Sequence, residues 1–143
     1  HQEEIDLCWR AYNKGNIIKY NSKSVVYHVG GATLEHGNPK KTELNFRNSL
    51  LMMVKNLPKN QLISVLFIRL VLDGIAGIQF LVQGQFKHFW AILKAHFSFY
   101  GLVTKNFKKR GDFQSKKYYK TKSIVYLYFV KKTKVFNNIL NTK

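Results

Sequence analysis

Cysteine and acidic residues are both scarce in this sequence. Its 143 residues include one cysteine, Cys8, so no internal disulfide can form, which is typical of a reducing compartment. Seven Asp and Glu residues stand against 24 Lys and Arg, which gives a formal net charge of +17. The opening residues are acidic and polar, so they do not read as a signal peptide. The first residue is not Met, and we interpret the chain as a truncated or processed piece.

The positive charge is concentrated late in a chain that is otherwise rich in apolar residues. Apolar residues make up 45% of the sequence, which excludes a disordered polycation and allows one domain with a modest core. Residues 101–143 hold twelve Lys and Arg against Asp112 alone, whereas residues 61–100 hold three against one acid. A basic tail beside an apolar middle predicts an anionic partner, either membrane headgroups or nucleic acid.

The first forty residues combine one helix signal with two strand signals. Residues 3–14 carry an apolar face at helical spacing and precede Gly15, which predicts a short helix with a glycine cap. Residues 16–20 and 24–29 are rich in β-branched and aromatic residues and are joined by Asn-Ser-Lys. This pattern predicts a β-hairpin.

The middle of the chain predicts three helices, at residues 41–57, 62–82 and 85–100. The second is the most apolar stretch of the chain, and its length is close to the roughly 20 residues that a membrane span requires. Arg69 and Asp73 lie inside it, and each charge costs about 2.5–3.5 kcal/mol at a bilayer centre. We therefore favour a helix that lies in or dips into the membrane interface, with a full span as the close alternative. Residues 101–122 read as a basic loop, and residues 123–136 predict a final amphipathic helix or a strand.

An ordered set of motifs occupies the first 31 residues. Glu3-Glu4 precedes Asp6-Leu7-Cys8-Trp9-Arg10, Lys14-Gly15 follows, and Tyr27-His28-Val29-Gly30-Gly31 ends the segment. In this combination the segment resembles the end of the catalytic domain of family 2 glycosyltransferases, the inverting GT-A enzymes of bacterial cell-surface polysaccharide synthesis. The likeness continues through residues 44–58 and, more loosely, to about Tyr100.

The resemblance implies a fold class and, together with the charge distribution, a division of the chain. The fold would be an α/β fragment, predominantly helical, in which residues 1–40 end a Rossmann-like GT-A domain with a short β-hairpin. Residues 41–100 would be amphipathic and membrane-associated helices, and residues 101–143 a basic tail with a final helix. Neither an Asp-x-Asp motif nor a Gly-rich phosphate loop occurs here. The part that binds the nucleotide sugar is therefore expected upstream. It would also supply most of the ligands of a divalent metal ion (Mn²⁺ or Mg²⁺).

The acidic pair is the candidate catalytic feature. Inverting transfer needs a base that takes the proton of the acceptor hydroxyl, and a carboxylate suits this role. In the family pattern the second acid of the pair acts as this base, which makes Glu4 the candidate. Glu3 would orient the acceptor or Glu4. The family usually has Asp at the position of the base. Because Glu is one methylene longer, an alignment shifted by one residue stays an alternative. Acids are also favoured in the first turn of any helix, which leaves a purely structural role as the alternative.

Three further residues are candidates for binding. His28 would be a ligand for a diphosphate-bound metal ion, or a strand-end histidine bonded to the backbone. Arg47 would hold a departing diphosphate or an acceptor phosphate, or would be a solvated helix charge. Trp9 would line the acceptor cleft or pack in the core.

The expected setting is the cytoplasmic face of the bacterial inner membrane. The expected partners are a nucleotide-sugar donor, a glycan or polyprenyl-linked acceptor and an anionic membrane surface, without nucleic acid. Two other classes compete with this interpretation. A nucleic-acid-binding module would explain the alternation of lysines and tyrosines at residues 116–122. A non-catalytic membrane protein would explain residues 62–100 but not the predicted hairpin.

Overall fold

The computed structural model describes residues 2–27, 37–116, 118–119, 121, 126–133 and 135. Within these residues the chain forms four α-helices and one π-helical turn. They are α1 (Glu3–Asn13), α2 (Pro39–Asn56), α3 (Lys59–Val82), α4 (Phe86–Phe107) and the turn Tyr126–Val130. The four predicted helices are confirmed, and α4 runs past its predicted end at residue 100. Of the predicted final helix, residues 123–125, 134 and 136 lie outside the described residues.

Local sequence accounts for the helix boundaries. The side chain of Asn38 accepts a hydrogen bond from the Lys40 amide, and Pro39 occupies the first turn of α2, where its missing N–H costs nothing. Pro58 separates α2 from α3. Gly84 joins α3 to α4 with φ +71°, in the left-handed region that glycine enters without strain.

The predicted α/β fold class is wrong, because no strand forms anywhere in the described part of the chain. The predicted turn does form, since the Ser24 amide donates to the carbonyl of Asn21 at 3.1 Å. The flanking residues stay unpaired, and Ile17 and Val26 are 82% and 83% exposed. A two-stranded hairpin is marginal in water without further strands or a helix to cover one face. The predicted Rossmann-like end with its β-hairpin is therefore replaced by an all-helical arrangement.

The core lies between α2, the start of α3 and the second half of α4. Its buried members are Leu50, Leu51, Val54, Leu57, Leu62 and Phe99.

Two contacts show the relative directions of the helices. Near the starts of α2 and α4, Thr42 Oγ1 lies 2.8 Å from His88 Nδ1. Beyond the end of α4, Arg110 donates to carbonyls at the end of α2. Helices α2 and α4 therefore run in the same direction, and α3 runs antiparallel to both.

Candidate functional site

The outward face of α3 is apolar and open. Among the described residues, α3 is the one helix long and apolar enough to cross a membrane, and only 11% of its most apolar window is buried. A core helix of a soluble protein would be mostly buried. The large side chains on this outward face are 48–83% exposed: Ile63, Phe67, Ile68, Val71, Leu72, Ile75, Ile78 and Val82. At 1.5 Å per residue, the 24 residues of α3 extend about 36 Å, enough to cross the roughly 30 Å hydrocarbon core of a bilayer.

The inward face of α3 carries its two central charges. Asp73 is 2% exposed and accepts a hydrogen bond from Arg69 Nε to Oδ1 at 2.6 Å. Its other oxygen, Oδ2, lies 3.2 Å from His96 Nε2 on α4. Because an ionised carboxylate only accepts hydrogen bonds, Nε2 is the protonated nitrogen of this pair. The Arg69 guanidinium also lies 5.6 Å from the centre of the Phe46 ring on α2. The charges of α3 thus point toward α2 and α4, and its apolar side chains point away from them.

Helix α4 adds aromatic residues to this surface. Trp90 and Tyr100 are 59% and 55% exposed, and these residue types favour the boundary between headgroups and hydrocarbon. Lys94 is also exposed on α4, between them along the helix. A lysine stem can cover apolar surface while its ammonium group reaches the headgroups. The outward side of α4 therefore suits the membrane interface more than its hydrocarbon centre.

The acidic pair lies at the start of α1, next to Asp6, the residue that attaches this helix to α2. Glu3 and Glu4 are both exposed in the first turn. Asp6, one turn on, attaches α1 to α2 by accepting hydrogen bonds from Lys55 Nζ at 2.7 Å and Asn56 Nδ2 at 2.9 Å. Asp6 also accepts one from Arg10 Nε at 3.0 Å, one helical turn further along α1.

The other predicted site residues are not brought to one place. Trp9 is half-buried against the core, stacks on Tyr118 with ring centres 5.2 Å apart, and lines an open apolar groove of about 380 Å³. Arg47 on α2 donates from Nε to Asn48 Oδ1 at 3.0 Å. His28 lies outside the described residues. Within those residues no group of three or more His, Cys, Asp or Glu side chains is arranged to hold a metal ion.

Burial shifts the pKa of two side chains that contact the end of α2 or the start of α3. Arg110 donates to the carbonyls of Val54 and Leu57, and desolvation lowers the pKa of its guanidinium below the usual value. Tyr118 donates its hydroxyl to Gln61 Oε1 at 2.9 Å, and desolvation raises the pKa of its phenol. Both interactions tie the segment after α4 to the junction between α2 and α3.

Sequence reasoning missed a basic cleft beside the ends of α1 and α2. Its cations come from α1, α2 and the segment after α4, so no local motif could reveal it. It also missed His96, because helical spacing identifies the inward face of α4 but not the residue that lies opposite Asp73.

No protein-family model, curated protein or solved structure matches the chain.

Proposed function

We propose that this chain is the membrane-associated part of a bacterial glycosyltransferase. The enzyme would transfer a sugar, with inversion, from a nucleotide-sugar donor to a cell-surface polysaccharide or a lipid-linked acceptor. The observation that carries the membrane part of the proposal is the polarity of α3, whose apolar side chains point outward while Arg69 and Asp73 point inward. A helix in water shows the opposite arrangement, with charges outside and apolar residues inside. The sugar-transfer part rests on the resemblance of the first 31 residues to family 2 enzymes.

The distribution of cations supports an orientation at the cytoplasmic face. Lys59 begins α3, and Lys108, Lys109 and Arg110 follow α4 at the same end of the antiparallel pair, whereas the opposite end of the pair carries Lys87. Lysine and arginine near membrane helices are enriched on the cytoplasmic side. Each of the exposed lysines among them would also contribute about 1 kcal/mol of attraction to an anionic leaflet. In this orientation α1 stays in the cytoplasm, beside the membrane surface.

The position of α1 supports a role for its acids in transfer. Glu4 is exposed, so an acceptor hydroxyl can reach it, and the partial positive charge of the helix start stabilises its ionised form. Glu4 would take the proton of that hydroxyl as its oxygen attacks the anomeric carbon, and Glu3 would orient the acceptor. The donor and the divalent metal (Mn²⁺ or Mg²⁺) would be held mainly by the upstream part that the resemblance implies.

Co-sedimentation with vesicles tests the membrane part of the proposal. The Phe67→Lys/Ile75→Lys variant places two lysines on the outward face of α3, at residues that are 65% and 56% exposed. Each lysine costs about 2.5–3.5 kcal/mol at the centre of a bilayer. The variant should therefore lose the salt-resistant binding to vesicles of phosphatidylcholine and phosphatidylglycerol, measured as the fraction that sediments after a high-salt wash.

The matched control is Val25→Lys/Val26→Lys, which replaces two residues that are 73% and 83% exposed outside the helices. It adds the same charge and should sediment as the wild-type chain does. Equal salt-resistant binding by both variants would show that the outward face of α3 does not contact the bilayer.

A further inference from the structure

A cleft of about 740 Å³ lies where the end of α1, the end of α2 and the segment after α4 meet. Four cationic side chains line it: Arg10, Lys14, Lys55 and Lys109. They come from three separate parts of the chain, and Asp112 is the one acid among the residues that line the cleft. The fold therefore gathers positive charge around a space large enough for a small ligand.

Internal ion pairs do not account for this charge. Arg10 and Lys55 share the single carboxylate of Asp6, at 3.0 and 2.7 Å, so this group keeps one positive charge in excess. Within the described part of the chain, Lys14 and Lys109 have no ion pair or side-chain hydrogen bond. The dipole at the end of α1 favours a cation at Lys14, but it gives no reason for Lys109. After Asp6 and Asp112 are counted, the cleft retains an excess of two positive charges.

The walls of the cleft are held in place by partly buried polar contacts. Asn13 on α1 donates from Nδ2 to the Asn56 carbonyl at 3.2 Å and accepts from the Ser115 amide at 3.0 Å. Arg110 fixes the segment that carries Lys109 to the end of α2. The side chains that line the cleft are therefore presented on a prearranged frame, which reduces the entropy lost when a ligand binds.

Asn56 adds an observation that also points to a ligand. This residue lines the cleft, is 1% exposed and donates from Nδ2 to Asp6, yet its Oδ1 is buried with no hydrogen-bond partner. A buried acceptor without a donor is costly. A phosphate group that keeps one protonated oxygen would donate to this acceptor, while its anionic oxygens would contact the surplus cations.

We propose that the cleft binds a phosphate or diphosphate group, with Lys14 and Lys109 as its principal cations. Lysine ammonium groups bind phosphate through charge-assisted hydrogen bonds. The proposal deepens the proposed function, on which its choice of ligand rests: the group would belong either to a membrane lipid that carries the acceptor or to a free phosphate compound. The residues concerned differ from the acidic pair and from Arg47.

Calorimetric titration of the detergent-solubilised chain with inorganic diphosphate tests the cleft directly. The Lys14→Gln/Lys109→Gln variant should bind at least about ten-fold more weakly than wild type, since it loses two charge-assisted contacts. Lys19→Gln/Lys23→Gln removes the same charge from exposed residues outside the cleft and should keep wild-type affinity. Lys14→Arg/Lys109→Arg should retain binding. Circular dichroism checks that all variants keep their helices.

Vesicles distinguish the two sources of the phosphate group. If a polyprenyl diphosphate in phosphatidylcholine vesicles increases sedimentation of the wild type but not of Lys14→Gln/Lys109→Gln, the source is a lipid. If only inorganic diphosphate binds, the source is a free phosphate compound. The proposal is overturned if neither probe binds the wild type, or if both glutamine variants lose affinity equally. Because the titration needs no membrane, its result stands apart from the vesicle test of α3.

Discussion

Arg69 and Asp73 form an ion pair inside the most apolar helix of the chain, with Nε and Oδ1 2.6 Å apart. They lie one turn apart on α3, and Asp73 is 2% exposed while the Arg69 side chain is 29% exposed. Because His96 reaches the second oxygen of the same carboxylate, the pair also joins α3 to α4. A charged pair in such surroundings is retained only where its partners compensate for the lost hydration.

The first prediction concerns the loss of this carboxylate. Asp73→Asn keeps the size of the side chain but leaves Arg69 without a counter-charge, so the free energy of unfolding should fall by about 3 kcal/mol. Thermal unfolding followed by circular dichroism in detergent micelles measures the change. The double variant Arg69→Met/Asp73→Leu removes both charges and should recover most of the loss. An equal loss in the single and double variants would contradict a role for the charge itself.

The second prediction concerns the close approach of α3 and α4. A Cβ atom added at Gly77 would lie 3.4 Å from Phe89 Cδ2, whereas one added at Gly74 would meet nothing within 4 Å. Gly77→Leu should therefore separate the helices and reduce the free energy of unfolding by about 1–3 kcal/mol. Gly74→Leu should be neutral or stabilising by up to about 1 kcal/mol, because leucine favours helix more than glycine does. Similar destabilisation of both variants would show that helix packing at Gly77 is not the cause.

The third prediction is a pH dependence at Tyr118. Because burial raises the pKa of the folded phenol, the unfolded chain loses this proton first as the pH rises. The stability that Tyr118 contributes is present below about pH 10, the ordinary tyrosine pKa, and is lost as the pH rises through the folded value. Tyr118→Phe should remove this part of the alkaline loss. Parallel stability curves for the two chains above pH 10 would count against it.

The fourth prediction concerns catalysis in the proposed full-length glycosyltransferase. Glu4→Gln keeps the shape of the side chain but removes its basicity, so kcat for sugar transfer should fall by about 10²–10⁴. Glu3→Gln should cost less, and Glu43→Gln, which alters a surface pair with Lys40 on α2, should leave transfer unchanged. A full rate in Glu4→Gln would exclude Glu4 as the base, and a larger loss in Glu3→Gln would assign that role to Glu3.

Helical periodicity predicted the four helices correctly, whereas β-propensity wrongly predicted a hairpin in the first thirty residues. Residues 16–20 and 24–27 carry isoleucine, valine and tyrosine, yet a strand needs neighbours to bury one face, and the described residues supply none. Helix α4 extends past residue 100 because Leu102 and Val103 continue its contact with the core. No pattern within ten residues can report such contacts between distant segments.

The candidate sites were predictable only where their residues are close in sequence. Arg69 and Asp73 are four residues apart, so a helix places them one turn apart, and the order of acids in the first residues directed attention to Glu3 and Glu4. The contribution of His96 depends on how α4 rotates against α3. The basic cleft depends on Arg110, which brings Lys109 to the ends of α1 and α2. Both therefore required the tertiary structure.

The contact between Asp73 and His96 has a consequence for biosynthesis. Helix α3 is complete at Val82, but the histidine that serves its carboxylate is translated later, within α4. In a nascent chain that stops before His96, Oδ2 of Asp73 would still lack this hydrogen-bond partner when α3 reaches the translocation machinery. If α3 enters a bilayer as proposed, we expect it to do so only together with α4, as a single cotranslational unit.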